Sequence, residues 1–136
     1  MDINKKLRAL VADDENTIRI IVSTILAKLG FSITEARDGG EALNLFESGL
    51  TTELSYDLVA TDNRMPKLDG IELANVIREM GEKVPIVLIS GTLTEDLKAR
   101  ALKLDVKTMS KAPADEMEFG LRQILRPIFP NIPWTY

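Results

Sequence analysis

The chain has 136 residues and a formal net charge of −4, which suits about one acidic globular domain with a single core. This charge argues against direct nucleic-acid binding, because affinity for nucleic acid comes mainly from lysine and arginine contacts to phosphates. The chain has neither cysteine nor histidine, so thiol chemistry and thiolate metal sites are excluded, and any metal must be held by oxygen ligands.

Five apolar segments of strand character alternate along the chain with five segments of helical periodicity. The strands are predicted over residues 7–12, 31–36, 56–61, 85–89 and 106–109. Helices are predicted over 15–29, 41–47 and 71–80, then after an N-cap at Thr94 and after Pro113. The residues at 37–40 are predicted as a turn. This alternation predicts an α/β fold in which right-handed crossovers place helices on both faces of a parallel sheet.

Polar side chains follow the predicted strands at the point where each strand ends. Asp13 and Asp14 follow the first strand, Asp62 the third, Ser90 the fourth and Lys111 the fifth. Because the carboxyl ends of parallel strands share one edge of a sheet, we expect these side chains to converge on a single pocket. Three carboxylates so close together would repel one another unless a cation lay between them, and Mg²⁺ suits an oxygen-only site.

This ordered set resembles the receiver domain of two-component response regulators over about residues 6 to 126. The resemblance rests on four short sequences at the strand ends: Ala12-Asp13-Asp14-Glu15, Asp62 with Met65-Pro66 and Asp69-Gly70, Ser90-Gly91, and Lys111. It implies a flavodoxin-like, doubly wound (βα)5 fold with a five-stranded parallel sheet of order 2-1-3-4-5. It also implies a receiver domain over 1–126, which a proline-rich, apolar C-terminal tail over 127–136 then follows.

The resemblance further implies a phospho-acceptor site that binds Mg²⁺, with Mn²⁺ as an alternative. Asp62 would be the nucleophile that takes a phosphoryl group from a phospho-His of a partner protein and becomes an aspartyl phosphate. Lys111 would pair with one phosphoryl oxygen and the Ser90 hydroxyl with another. The implied metal ligands are Asp14 directly, Asp13 mostly through water, Asp62, and the backbone carbonyl of Arg64.

A domain of this kind is a signalling module and not an enzyme, because it would catalyse only its own phosphorylation and dephosphorylation. Its partners would be a histidine kinase or a His-phosphotransfer protein, and a downstream effector protein whose binding changes with the domain's conformation. Another copy of the same chain is a further candidate partner, which would give a homodimer. No apolar run reaches the roughly 20 residues of a membrane span, and the first residues are no secretory signal, so we expect a cytoplasmic location without membrane contact.

Three departures from the family pattern bear on these roles. Ala112 separates Lys111 from Pro113, whereas receivers usually have lysine followed directly by proline, often across a cis bond. Either the 111–112 bond is trans and the loop differs, or the reach of the lysine has changed. Thr108 stands where the family's switch aromatic usually lies, so a rotating ring cannot report phosphorylation. The fifth strand is unusually polar, so we expect Lys107 or Thr108 to face solvent on the surface that many receivers use for partners.

Two further side chains are predicted to flank the phosphoryl position. Arg64 and Thr92 lie two residues after Asp62 and Ser90. We expect the guanidinium of Arg64 either to bind the phosphate or to obstruct the attacking water.

Several interpretations of the whole chain stay open at this level. We expect a stand-alone receiver, and the first alternative is the receiver piece of a longer regulator or hybrid kinase. A flavodoxin-like cofactor-binding protein is disfavoured, because Asp13, Asp14 and Glu15 would repel a flavin phosphate. A degenerate receiver that only binds partners would not need the acidic set and Lys111. The tail either folds back over its own domain or exposes an apolar patch for a partner.

Overall fold

The computed structural model describes residues 6–134. Its strands are β1 (Arg8–Ala12), β2 (Ser32–Ala36), β3 (Leu58–Thr61), β4 (Ile86–Ser90) and β5 (Lys107–Ser110). They form one sheet in the order β2-β1-β3-β4-β5, and every neighbouring pair is parallel. The predicted flavodoxin-like topology is therefore confirmed, and all the strands end at the same edge of the sheet.

Each strand of this sheet is followed by a helix. The helices are α1 (Asn16–Lys28), α2 (Gly39–Thr51), α3 (Gly70–Glu79), α4 (Glu95–Lys103) and α5 (Ala114–Leu125). Within the described residues, none of these helices combines the length and the apolar character needed to cross a membrane.

The central strands bury side chains on both faces, which explains why β3 and β4 are apolar up to their last residues, Thr61 and Ser90. Successive side chains of a strand point to opposite faces. Leu10, Val59 and Leu88 accordingly pack in the layer beneath α2, α3 and α4, while Val11, Ala60 and Ile89 pack beneath α1 and α5. Two apolar layers thus hold the sheet between helices, and the polar residues at the strand ends emerge from a rigid support.

The predicted turn over residues 37–40 is wrong in its second half, because α2 already begins at Gly39. The carboxylate of Asp38 caps this helix, since its Oδ1 accepts the Glu41 N–H at 2.8 Å. Gly39 lies so close to the Leu68 carbonyl group that a Cβ at this position would overlap it. Glycine is required here for close approach between a helix and the loop that follows β3, and not for a turn.

The edge strand β5 has the exposed character predicted from its polar sequence. Lys107 and Ser110 are exposed, and Thr108 and Met109 are half-buried. This strand pairs only with β4 among the described strands, so its outer side faces away from the sheet.

The described part of the C-terminal tail folds back over the α1 and α5 side of the domain. Ile132 is buried in that apolar layer, and the ring of Phe129 meets the ring of Phe31 edge to face with centroids 5.3 Å apart. The indole N–H of Trp134 donates to the Phe129 carbonyl at 2.9 Å. Tyr136, part of the predicted apolar tail, lies outside the described residues. The boundary between a receiver domain at 1–126 and a tail at 127–136 stays a prediction.

Candidate functional site

The residues singled out from the sequence lie together at the carboxyl edge of the sheet. An open cavity of about 300 Å³ at this edge is lined by Asp14, Glu15, Asp62, Arg64, Ser90, Gly91, Thr92 and Lys111. Asp13 lies beside it, within reach of both Asp62 and Lys111. The strand ends therefore bring every predicted site side chain to one place, as parallel topology requires.

Three carboxylates form the acidic centre of this cavity. One oxygen from each of Asp13, Asp14 and Asp62 lies within 4.8 Å of the others. Asp13 and Asp62 are only 3% and 5% exposed, whereas Asp14 is exposed. The donor set is made of oxygen alone and carries an excess of negative charge, which is the chemistry that a hard divalent cation such as Mg²⁺ prefers.

The backbone around Asp62 fixes where its carboxylate points. The Asp62 N–H donates to the Ala12 carbonyl at 2.8 Å, and its Oδ1 accepts the Asn63 N–H at 2.8 Å. The Gly70 N–H donates to the Asn63 carbonyl at 2.7 Å. A Cβ on Gly70 would overlap the Asp62 carbonyl, so this glycine permits the loop after β3 to fold back tightly.

The start of the next helix closes this loop. The Asp69 carboxylate accepts the Glu72 N–H at 2.8 Å, and the Glu72 carboxylate accepts the Asp69 N–H at 3.0 Å. This reciprocal capping box anchors the loop in α3. Asp69 and Gly70 thus shape the loop that follows Asp62, while Arg64 lies on this loop with its side chain exposed.

Burial perturbs the acidic groups of the site. Burial, with the nearby Asp13 carboxylate, raises the pKa of Asp62 to about 6, although Lys111 and the Asn63 N–H both act to lower it. Burial also raises the pKa of Asp13, and the Glu15 N–H and Lys111 oppose that rise. For both carboxylates, burial therefore outweighs the stabilisation of the charged form that Lys111 provides.

Lys111 provides the positive charge in contact with the two buried carboxylates. Its Nζ lies 3.3 Å from Asp62 Oδ2, 3.3 Å from Asp13 Oδ2 and 3.1 Å from Glu15 Oε1. Burial alone would lower the pKa of Lys111, but the Glu15 hydrogen bond and the two buried carboxylates outweigh that and leave the pKa raised. Every peptide bond over residues 6–134 is trans, including the 111–112 bond, and the lysine still reaches Asp62 despite the inserted Ala112.

Ser90 lies at the end of β4 and is engaged within its own loop. Its hydroxyl donates to the Thr92 carbonyl at 3.1 Å and accepts the Thr92 N–H at 3.2 Å. A Cβ on Gly91 would approach only the Lys111 side chain, at 3.9 Å, so the space beside Ser90 is open. The hydroxyl is in the cavity but is not bonded to Asp62.

Two side chains of the site carry contacts that the sequence did not reveal. In the sequence Glu15 is only one member of an acidic run, yet its carboxylate accepts a hydrogen bond from Lys111. Arg19 stands inside the apolar period of α1, yet it is 6% exposed and its Nη1 donates to the Asp13 carbonyl at 2.9 Å. The one available signal for Arg19 is its charge amid isoleucines, which does not distinguish a buried arginine from an exposed one.

The model of the response regulator receiver domain family matches residues 9–119 of this chain. The chain belongs to the response regulator receiver domain family. This match covers the sheet except for the first residue of β1, the first four helices and about half of α5, and it includes each site residue named above. The family assignment made from the strand-end motifs is thus confirmed.

Relatives of this receiver domain occur within longer regulators and kinases. It is 34% identical over 128 residues to the "Probable transcriptional regulator ycf27" of Guillardia theta, across 93% of this chain and 48% of the relative. It is 30% identical to the "Hybrid signal transduction histidine kinase I" of Dictyostelium discoideum, across 92% of this chain and 7% of that protein. The chain spans about half the length, or less, of the curated relatives it matches.

A solved structure confirms the fold of the receiver domain. The structure of the CheX-CheY-BeF3-Mg+2 complex from Borrelia burgdorferi matches with a TM-score of 0.76 and 24% identity, across 88% of this chain and 89% of that one. At this identity the likeness concerns the fold alone.

Proposed function

We propose that this receiver domain accepts a phosphoryl group from a partner's phospho-His onto Asp62, and signals by changing its affinity for an effector protein. The observation that carries the proposal is the contact between the Asp62 carboxylate and the Lys111 ammonium, 3.3 Å apart, within a group of three converging carboxylates. An acceptor carboxylate, a fixed cation for a phosphoryl oxygen and an oxygen-rich cation site are the parts that phosphoryl transfer needs.

The residues present fit a divalent metal ion, and Mg²⁺ is the one that we propose. Asp13, Asp14 and Asp62 would hold it, and the backbone carbonyl of Arg64 is the further ligand that the family resemblance suggests. Two of these carboxylates are buried with a single ammonium group for compensation, so the free site carries uncompensated charge. When bound, the metal would neutralise charge on the carboxylates and on the transferring phosphoryl oxygens.

The transfer itself is a displacement at phosphorus. An Oδ atom of Asp62 forms a P–O bond while the P–N bond of the donor breaks, and its electron pair stays on the imidazole nitrogen. The donor leaves as neutral imidazole because its other ring nitrogen carries a proton. Lys111 stabilises negative charge on a phosphoryl oxygen during this step, and the rigid loop after β3 keeps the Asp62 carboxylate oriented.

The phosphorylated state would be reported through Ser90. In the unphosphorylated domain the Ser90 hydroxyl bonds to Thr92, so a phosphoryl oxygen must draw it out of that loop contact. Such a movement displaces the loop that leads into α4, which is a local switch with a wider effect on binding surfaces. Since position 108 is a threonine, the change passes through the loop and not through a rotating aromatic ring.

A small acyl phosphate tests this function without the cognate kinase. With Mg²⁺, we expect mass spectrometry to show one added phosphoryl group on the wild type and none on Asp62→Asn. Asp57→Asn is the matched control, since Asp57 precedes β3 at the opposite edge of the sheet and should gain mass as the wild type does. No gain by the wild type, or an equal gain by Asp62→Asn, would contradict the proposal.

A further inference from the structure

The ammonium group of Lys111 has a carboxylate partner that the acceptor chemistry does not use. Of its three partners, the side chains of Asp13 and Asp62 are 5% and 6% exposed, whereas that of Glu15 is 62% exposed. Glu15 also lies outside the three-carboxylate group that could hold a metal ion. It is nevertheless the nearest of the three, at 3.1 Å. Glu15 is therefore an anion distinct from the metal ligands that shares the same cation.

The backbone holds both ends of this contact in place. The Glu15 N–H donates to Asp13 Oδ1 at 2.9 Å, and the Glu15 carbonyl accepts the Arg19 N–H at 3.0 Å. On the other side, the Lys111 N–H donates to the Ser90 carbonyl at 2.9 Å. The ion pair thus joins the β1–α1 loop to the β5–α5 loop at the cavity that would receive the phosphoryl group.

One ammonium group cannot bind every anion of this site equally well. In the free domain it is shared among three carboxylates, and a phosphoryl group brings further negative charge to the same cavity. A cation held among the three clustered carboxylates would compensate Asp13 and Asp62 but would leave Glu15 outside its ligand set. Glu15 then remains the competitor for Lys111 at the moment of transfer.

We propose that Glu15 is a positioning residue that holds Lys111 in the unphosphorylated domain, so that an incoming phosphoryl anion must displace the Glu15 carboxylate. This inference rests on the proposed phospho-acceptor function. Glu15 takes no part in bond making or breaking, and it acts only through Lys111. Its effect is to slow phosphorylation, because the lysine must exchange one anionic partner for another before it can stabilise the transferring group.

The first experiment measures the second-order rate constant for phosphorylation by acetyl phosphate in saturating Mg²⁺. We expect Glu15→Gln to raise this rate constant roughly two- to fivefold, the range for an ion pair with one exposed partner. Glu47→Gln removes the same charge from an exposed position on α2 and should leave the rate constant unchanged. Equal rate constants for Glu15→Gln and Glu47→Gln would overturn the inference.

A double-mutant cycle separates this role from simple repulsion of the anionic donor. In a Lys111→Met background, Glu15→Gln should no longer raise the rate constant, because the residue through which it acts is gone. The same increase in both backgrounds would overturn the inference. The cycle comprises the wild type, Glu15→Gln, Lys111→Met and the variant with both substitutions. Urea unfolding of these four proteins without metal gives a second readout, in which Glu15→Gln should lower the free energy of unfolding only when Lys111 is present.

The outcomes also separate this inference from the proposed function. A wild-type protein that gains no phosphoryl group refutes the proposed function itself. A wild type that is phosphorylated on Asp62, with no coupling between Glu15 and Lys111 in either readout, refutes only the role of Glu15.

Discussion

Asp62 and Asp13 are two acidic residues placed where their charge is unfavourable. Both are nearly fully buried, and their carboxylates share one ammonium partner. Burial raises the pKa of both groups, which means that the surroundings stabilise the charged forms less than water does. Two buried carboxylates with one ammonium partner are the arrangement expected of a site that binds a cation and a phosphoryl group.

The unfavourable burial of the Asp62 carboxylate should make the free energy of unfolding of the metal-free domain depend on pH. The pKa of Asp62 is about 6 in the folded state and near 3.8 when unfolded, so the folded state binds more protons between those values. The stability contributed by Asp62 is therefore present below about pH 4 and is lost as the pH rises through about 6. We expect Asp62→Asn to be more stable than the wild type at pH 7.5 by roughly 1 to 3 kcal/mol.

Urea denaturation in a metal chelator from pH 4 to pH 8 measures this difference. The wild type should lose more stability than Asp62→Asn over the range from pH 4 to pH 6. Glu47→Gln, at an exposed carboxylate, should follow the wild type. Parallel stability curves for the wild type and Asp62→Asn would show that burial of Asp62 is not unfavourable.

At the scale of elements, the short loop between β1 and α1 is held in place by one buried side chain, that of Arg19. Arg19 donates from Nη1 to the Asp13 carbonyl at 2.9 Å, from Nη2 to Asn16 Oδ1 at 2.6 Å and from Nε to Glu35 Oε1 at 2.8 Å. One buried guanidinium thus ties the acidic loop to α1 and to the end of β2. Groups that orient metal ligands in this way commonly affect metal affinity.

We predict that Arg19→Met weakens Mg²⁺ binding roughly tenfold, since the loop that carries two of the carboxylates loses its anchor. Arg78→Met is the matched control, because Arg78 also donates to backbone carbonyls, those of Leu104, Glu82, Val84 and Asp105, but far from the cavity. Titration calorimetry gives the affinities and urea unfolding the stabilities. A role confined to stability would make both variants less stable and leave both with wild-type Mg²⁺ affinity.

The elements also show what a sequence can and cannot predict. The order of strands and the meeting of Asp13, Asp62 and Lys111 follow from alternation and family resemblance, because parallel topology fixes where strand ends lie. The start of α2 was missed, since glycines usually interrupt helices and the close contact between Gly39 and the Leu68 carbonyl is tertiary.

The direction in which a side chain points is also a tertiary property, so the sequence did not predict the contacts of Glu15 and Arg19. The contact between Glu15 and Lys111 joins residues 96 positions apart, and the burial of Arg19 depends on a loop carbonyl. The Glu15–Lys111 contact leaves no local signal in the sequence, because it depends on how two distant loops come together in the folded chain. The Arg19 contact joins residues only six positions apart, but a lone charge in an apolar helical pattern does not reveal that the guanidinium is buried.

At the scale of the whole molecule, the site and the tail occupy opposite ends of the sheet. The carboxylates follow the strands, whereas Phe129 packs on Phe31, which precedes β2, and Ile132 joins the apolar layer under α1 and α5. The described tail residues therefore complete the core of their own domain. Their contribution should be to stability and not to the chemistry at Asp62.

We therefore predict that Phe129→Ala lowers the free energy of unfolding by roughly 1 to 3 kcal/mol, as expected for a partly buried aromatic ring. Phe119→Ala makes the same truncation on α5, where the residue is 54% exposed, and should change stability by less than about 0.5 kcal/mol. Urea denaturation followed by circular dichroism measures both values. At temperatures where all three proteins are folded, the rate of phosphorylation by acetyl phosphate should be the same. An equal stability loss in the two variants, or a slower rate in Phe129→Ala alone, would contradict this division between tail and site.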